Sequence, residues 1–157
     1  MKGLVIYDTS YGNTKAIAGA IAETLRASGI DANSVYVKDV KKPAAADYDF
    51  LVLGSPTRFG TMSFTFKGFI GKLKPGEWAG KPFAAFDTEN PENIEKAQGS
   101  AGEKIAVLLK EKQMLQLLPV LKAVALQVQG GVKATLKEGE IERAKEFARQ
   151  IAAGLKK

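Results

Sequence analysis

The sequence predicts an α/β protein built on a doubly wound parallel sheet of about five strands. Three observations carry this: short apolar runs alternate with longer segments of helical period, glycine or proline marks most junctions, and no repeat or low-complexity linker breaks the alternation. One domain over residues 1–157 is the expected organisation.

The first run, G-L-V-I-Y at residues 3–7, is continuously apolar, as a strand covered on both faces must be. Residues 14–27 repeat Ile17, Ile21 and Leu25 on one helical face and stop at Ser28-Gly29. A weaker strand is expected at 34–37, and residues 43–48 are too few for a full helix before the third strand, F-L-V-L at 50–53. Residues 64–73 read as a helix that is apolar inside with lysine outside. The fourth strand, F-A-A-F at 83–86, opens after Pro82. Residues 101–112 repeat Ile105, Leu108 and Leu109, residues 123–128 supply the fifth strand, and residues 138–155 close the chain with Ile141, Ala144, Ala148 and Ile151 on one face. Between 112 and 122, Met114, Leu115, Leu117, Leu118 and Val120 fit either a continued helix or an apolar loop.

Composition narrows the chemistry. The chain has 157 residues, 45% hydrophobic and 25% charged, which is enough to bury its own core. It has no apolar run of about 18 residues, so membrane insertion is not expected. Its first residues lead straight into a strand-like segment, so a cytoplasmic location is expected. Without cysteine or histidine, any reaction must use hydroxyls, carboxylates, Lys, Arg or a bound cofactor, and no metal site is expected. The net charge is +6, yet lysines are spread without a block and aromatics are not interleaved with them, so no nucleic-acid partner is expected. The strongest local excess lies at residues 58–81, where Arg58, Lys67, Lys72, Lys74 and Lys81 face Glu77 alone.

In a doubly wound sheet, ligands bind outside the carboxyl ends of the strands where strand order reverses, which selects the loops 8–14, 54–62, 87–99 and 129–136. The first, D-T-S-Y-G-N-T, places four hydroxyl side chains and a glycine at a helix start. Amides there point outward at the positive end of the helix dipole, and Gly12 permits a tight turn, so a phosphate fits. The plain alternative is that Asp8, Thr9 or Asn13 caps the helix. Neither G-x-x-x-x-G-K-[ST] nor G-x-G-x-x-G follows any strand. A phospho-acceptor receiver domain fails too: Asp8 stands without an acidic cluster, Ser55 occupies the third strand end, and Q-V-Q-G at 127–130 offers no lysine.

T-S-Y-G-N-T, from Thr9 to Thr14, resembles the flavodoxin phosphate loop [TS]-x-[TSY]-G-x-T. G-S-P-T-R-F-G-T-M at 54–62 resembles the flavin loop P-T-R-F-G-N-M of flavodoxin-like NAD(P)H:quinone oxidoreductases, and K-E-G-E-I-E-R-A-K-E-F at 137–147 resembles the closing helix of short flavodoxins. The resemblance covers the whole chain. It implies a flavodoxin-like α/β/α fold, a five-stranded parallel sheet of order 2-1-3-4-5, and FMN as cofactor. Carried over by position, Thr9, Ser10, Tyr11, Gly12, Asn13 and Thr14, with the Lys15 amide, would hold the phosphate. Pro56, Thr57, Arg58, Phe59 and Gly60 would run beside the flavin ring, Phe59 as the stacking aromatic or else as a core residue, and Thr88, Glu89 and Asn90 would meet its polar edge.

The departures are specific. D-T-E-N-P-E-N at 87–93 lacks the aromatic with which many flavodoxins cover the outer ring face; the chain is basic where typical flavodoxins are acidic; and the tetramer-building insertions of the quinone oxidoreductases are absent. Two functions follow from the resemblance: an FMN electron carrier between redox proteins with acidic surfaces, or an NAD(P)H- or partner-dependent quinone reductase, with protoporphyrinogen oxidation more distant. A flavin-free interaction module of the same fold is a third. No catalytic side chain is assigned, and a monomer or weak homo-oligomer is expected.

Overall fold

A computed structural model of the chain describes residues 1–96, 99–127 and 133–157. The strands are β1 (Lys2–Tyr7), β2 (Asp31–Tyr36), β3 (Phe50–Pro56), β4 (Pro82–Glu89), β5 (Leu115–Gln116), β6 (Leu121–Gln127) and β7 (Ala134–Leu136). The helices are α1 (Asn13–Ala27), α2 (Phe64–Gly71), α3 (Pro75–Trp78), α4 (Pro91–Lys96), α5 (Ala101–Glu111) and α6 (Glu140–Leu155), with single 3-10 turns at Val37–Asp39 and Ala45–Asp47.

The sheet runs β2-β1-β3-β4-β6-β7, with β5 also paired to β4. Every pairing from β2 to β6 is parallel, so the expected order 2-1-3-4-5 holds. Two details refine it. The fifth strand comes in two pieces, β5 meeting β4 at Pro82 and Phe83 and β6 meeting it from Phe86 onward. Pro119 stands between them and has no N–H for the ladder, so the break falls where pairing is chemically interrupted. The three-residue β7 then adds an antiparallel edge to β6. The ambiguous stretch before β6 is therefore neither a continued helix nor wholly a loop, and residue 128 of the expected fifth strand lies outside the described residues.

Alternation along the strands divides the core into two layers. Val5, Tyr7, Val52, Ala84 and Phe86 face α1 and α6, packing on Ile17, Ile21, Leu25, Phe147 and Ile151. Leu4, Ile6, Leu51, Leu53, Phe83 and Ala85 face the other way, onto Phe66, Phe69, Ile70, Trp78, Ile105 and Leu109. Two glycines set the register. Gly3 pairs with Phe50 and Gly54 with Phe86, and a Cβ on either glycine would come within 2.1 Å of its partner's ring. Each phenylalanine thus folds over the neighbouring strand only because that position has no side chain. Among the described residues, no helix is long and apolar enough to cross a membrane.

Candidate functional site

Because β2 and β3 flank β1, the chain leaves the sheet in opposite directions after β1 and β3 and opens a crevice at their carboxyl ends. The loop after β1 is held by its own polar groups. The Asp8 N–H donates to the Gly54 carbonyl at 3.1 Å, the Thr9 N–H to Asp8 Oδ1 at 2.8 Å, and the Gly12 N–H to Thr9 Oγ1 at 3.0 Å. Gly12, at φ +89°, turns the chain into α1. Asp8 and Thr9 are therefore spent on the loop, and Asn13 donates Nδ2 to the Ala134 carbonyl at 2.8 Å, so none of the three caps α1. No acceptor meets the amides of Asn13, Thr14 and Lys15 among the described residues. Unpaired amides and the positive end of a 15-residue helix coincide there.

The cleft beside this turn has a volume of roughly 250 Å3. Of the sequence-predicted residues, Thr9, Ser10, Tyr11, Asn13 and Thr14 line it from the first loop, Pro56, Thr57 and Arg58 from the end of β3, and Thr88, Glu89 and Asn90 from the end of β4. The Thr14 and Thr88 hydroxyls meet at 2.9 Å in its buried wall, and the Thr57 N–H donates to the Thr88 carbonyl at 2.8 Å. Arg58 stands 5.8 Å from the Tyr11 ring centroid, a cation–π contact bridging two loops.

Gly12, Phe59 and Gly60 are not in the lining. Arg58 and Thr61 exchange two backbone hydrogen bonds of 3.0 Å, and the two residues between them, Phe59 and Gly60, have φ +53° and +75°. That is the two-residue turn with both central residues left-handed, which glycine takes freely and phenylalanine does not. Phe59 is thereby thrust fully into solvent, which excludes the core reading of this residue. A strained, exposed aromatic at a cleft mouth is typical of a ligand-contacting loop. The structure also brings in Ala125 and Gln127 from β6 and Ala134 from β7, for which the sequence offered only the position of the last loop.

Two acidic groups of β4, Glu89 in the cleft wall and Asp87 behind it, lie toward α5. Glu89 is buried, accepts Asn93 Nδ2 at 2.6 Å through Oε2, and has no partner for Oε1 among the described residues; burial raises its pKa against the lowering effects of Asn93 and Lys122. Below it Asp87 is completely buried, and desolvation lifts its pKa to about 7. Lys122 pairs with Glu103 beside them, and that hydrogen bond is the main reason its own pKa is raised.

Comparison with known proteins agrees with this geometry. The Flavodoxin domain family model matches residues 4–135. An archaeal flavodoxin structure superposes with a TM-score of 0.83 at 25% identity, covering 100% of both chains. A flavodoxin of Aquifex aeolicus is 36% identical over 91 residues, 55% of this chain and 49% of that protein. An NAD(P)H dehydrogenase (quinone) of Paracoccus denitrificans is 32% identical over 96 residues, 48% of this chain and 46% of that one. The chain spans about half the length of the curated relatives it matches. With the strand order, the cleft at the reversal point and the match over residues 4–135 all in agreement, the chain belongs to the flavodoxin family.

Proposed function

We propose that this chain binds FMN in the cleft and carries electrons between protein partners. The observation that carries the reading is the uncapped start of α1, where the Asn13, Thr14 and Lys15 amides have no acceptor among the described residues and stand beside the hydroxyl-lined cleft. A terminal phosphate satisfies those amides together, and Ser10 and Thr14 supply hydroxyl donors. Tyr11, Thr57 and Arg58 then border the ring, with the exposed Phe59 able to close over it. Bound FMN would supply acceptance and release of one or two electrons; the chain binds, orients and shields it. A cytoplasmic setting and a single-domain organisation belong to the same proposal.

Titrating the apoprotein with FMN and with riboflavin, followed by flavin fluorescence, tests it. FMN should bind at micromolar affinity or tighter and riboflavin far more weakly. Thr14→Val should weaken FMN about ten- to a hundredfold, the worth of one hydrogen bond to a charged group, and leave riboflavin unchanged. Equal binding of the two flavins would overturn the reading.

A second reading, direct quinone reduction, draws on the relative named as an NAD(P)H dehydrogenase (quinone) and on the lack of an aromatic at residues 87–93 to cover the ring. Stopped-flow mixing of the flavin-loaded protein with NADH and NADPH separates the two: reduction within milliseconds to seconds favours the enzyme, and none favours the carrier.

A further inference from the structure

The loop after β2 and helix α2 enclose a second groove with about 500 Å3 of free space, and none of its lining residues is shared with the cleft. Its walls include Val40, Pro43, Phe64 and Phe69. Phe64 is 93% exposed, although Phe66 and Phe69 on the same helix are buried. An aromatic side chain left in water on a groove wall is a docking feature, because burying it under a partner recovers its transfer free energy.

The rim is basic. Lys38, Lys41, Lys42 and Lys72 reach the groove, and no Asp or Glu lines it. Lys38 lies 5.9 Å from the Tyr36 ring, while Lys41, Lys42 and Lys72 have no carboxylate partner among the described residues. Asp39, the one acid within residues 37–43 of this loop, is outside the lining; after burial, its charge is the next reason the Tyr7 pKa is raised.

We propose that this groove docks an acidic segment of a protein partner, with an apolar side chain of the partner seated between Val40 and Phe64 and its carboxylates meeting Lys41, Lys42 and Lys72. Charge complementarity selects an acidic occupant, since four lysines line the groove and no carboxylate does. Shape selects a protein. A small-molecule site needs polar groups set inside the pocket to orient its ligand, and here every charged group is a flexible lysine at the rim. A concave slot also takes an inserted side chain better than it takes a flat bilayer. Position gives the docking a purpose under the electron-carrier reading, on which this inference rests: the groove loop follows the carboxyl end of β2, and α2 follows the loop that carries Arg58 and Phe59. A partner held there stands beside the mouth of the cleft.

The test uses a fluorescein-labelled peptide in which a Phe-Leu pair is flanked by glutamates, titrated by anisotropy against both apoprotein and flavin-loaded protein. Binding should weaken several-fold between ~0.05 and ~0.2 M salt, where the Debye length shortens from about 14 to about 7 Å. Reversing Lys41, Lys42 and Lys72 to Glu together should weaken it at least about tenfold, as loss of steering and pairing by three charges implies, while FMN affinity stays unchanged. Phe64→Ala should weaken it as well, and reversing Lys110, Lys137 and Lys157 should not. Equal binding by the groove-reversed protein overturns the proposal. So does equal binding of a peptide with Gly-Ser in place of Phe-Leu, or displacement of the peptide by phosphatidylserine vesicles that bind through the same lysines. If FMN fails to bind the wild type, the carrier reading falls, and the apoprotein titration still decides the groove.

Discussion

Replacing Asp87 by Asn should stabilise the protein at neutral pH and flatten its stability profile. Asp87 is fully buried in β4, accepts the Gly102 N–H through Oδ2 at 2.9 Å, and has no partner for Oδ1 among the described residues. Burial is the largest cause of its pKa rising from 3.8 to about 7; the Ser100 side chain, the Gly102 amide and Lys122 pull it down, and Glu89 pushes it up. The folded state therefore favours the neutral acid. Its contribution is complete below the unfolded pKa, near pH 4, and is lost as pH rises to about 7. The rise from 3.8 to about 7, at about 1.36 kcal/mol per pH unit, sets the largest loss at about 4 kcal/mol. Asn keeps an acceptor for Gly102 and cannot ionise. Urea unfolding between pH 4.5 and pH 8.5 reads the difference, and the absence of histidine leaves that interval clear of the usual titrating side chain. Glu89, also raised, is common to both proteins and largely cancels in the comparison. The stability gap should open with pH in favour of the variant; parallel profiles, or a variant less stable at pH 8, would refute the reasoning.

Three further outcomes are expected. Gly54→Ala places a methyl group about 2.1 Å from the Phe86 ring and should cost roughly 1–3 kcal/mol in chemical unfolding, partly restored by adding Phe86→Leu. Ser100→Ala removes the N-cap of α5, whose hydroxyl accepts the Glu103 N–H at 3.3 Å; it should cost about 1 kcal/mol and, by deleting a hydrogen bond to Asp87, shift the pH profile of stability. Arg58→Gln should make the midpoint potential of bound flavin more negative in spectroelectrochemistry, because a cation at the cleft favours the electron-rich ring, and an unchanged potential would show that Arg58 does not face it.

What was legible in the sequence was local. The first, third and fourth strands are continuous apolar runs, and α1 and α6 carry clear helical periods with a glycine at or beside one end, so each lies within a few residues of its expected place. The split of the last parallel strand was not legible, because Leu115, Leu117, Leu118 and Val120 are apolar whether they pair or merely pack, and only the neighbouring β4 decides which. The β7 strand escaped for the same reason: three residues carry no period, and their pairing depends on β6. At the cleft, the first loop announced itself through turn and hydroxyl chemistry confined to a few residues. Phe59 showed the limit of that reasoning, since its residue type fits both a core and a stacking role and only its backbone conformation separates them. The raised pKa of Asp87 had no local signature, because its burial is produced by α5 packing across β4.

The central claim is that the open amides at the start of α1 hold the phosphate of FMN, and the amide NMR spectrum of 15N-labelled protein tests it directly. On addition of FMN, the Asn13, Thr14 and Lys15 N–H resonances should move strongly downfield, as amides do on donating to a phosphate oxygen, and riboflavin should leave these three nearly in place while shifting residues around Thr57 and Arg58. Saturable FMN binding with those three resonances unmoved would contradict the account.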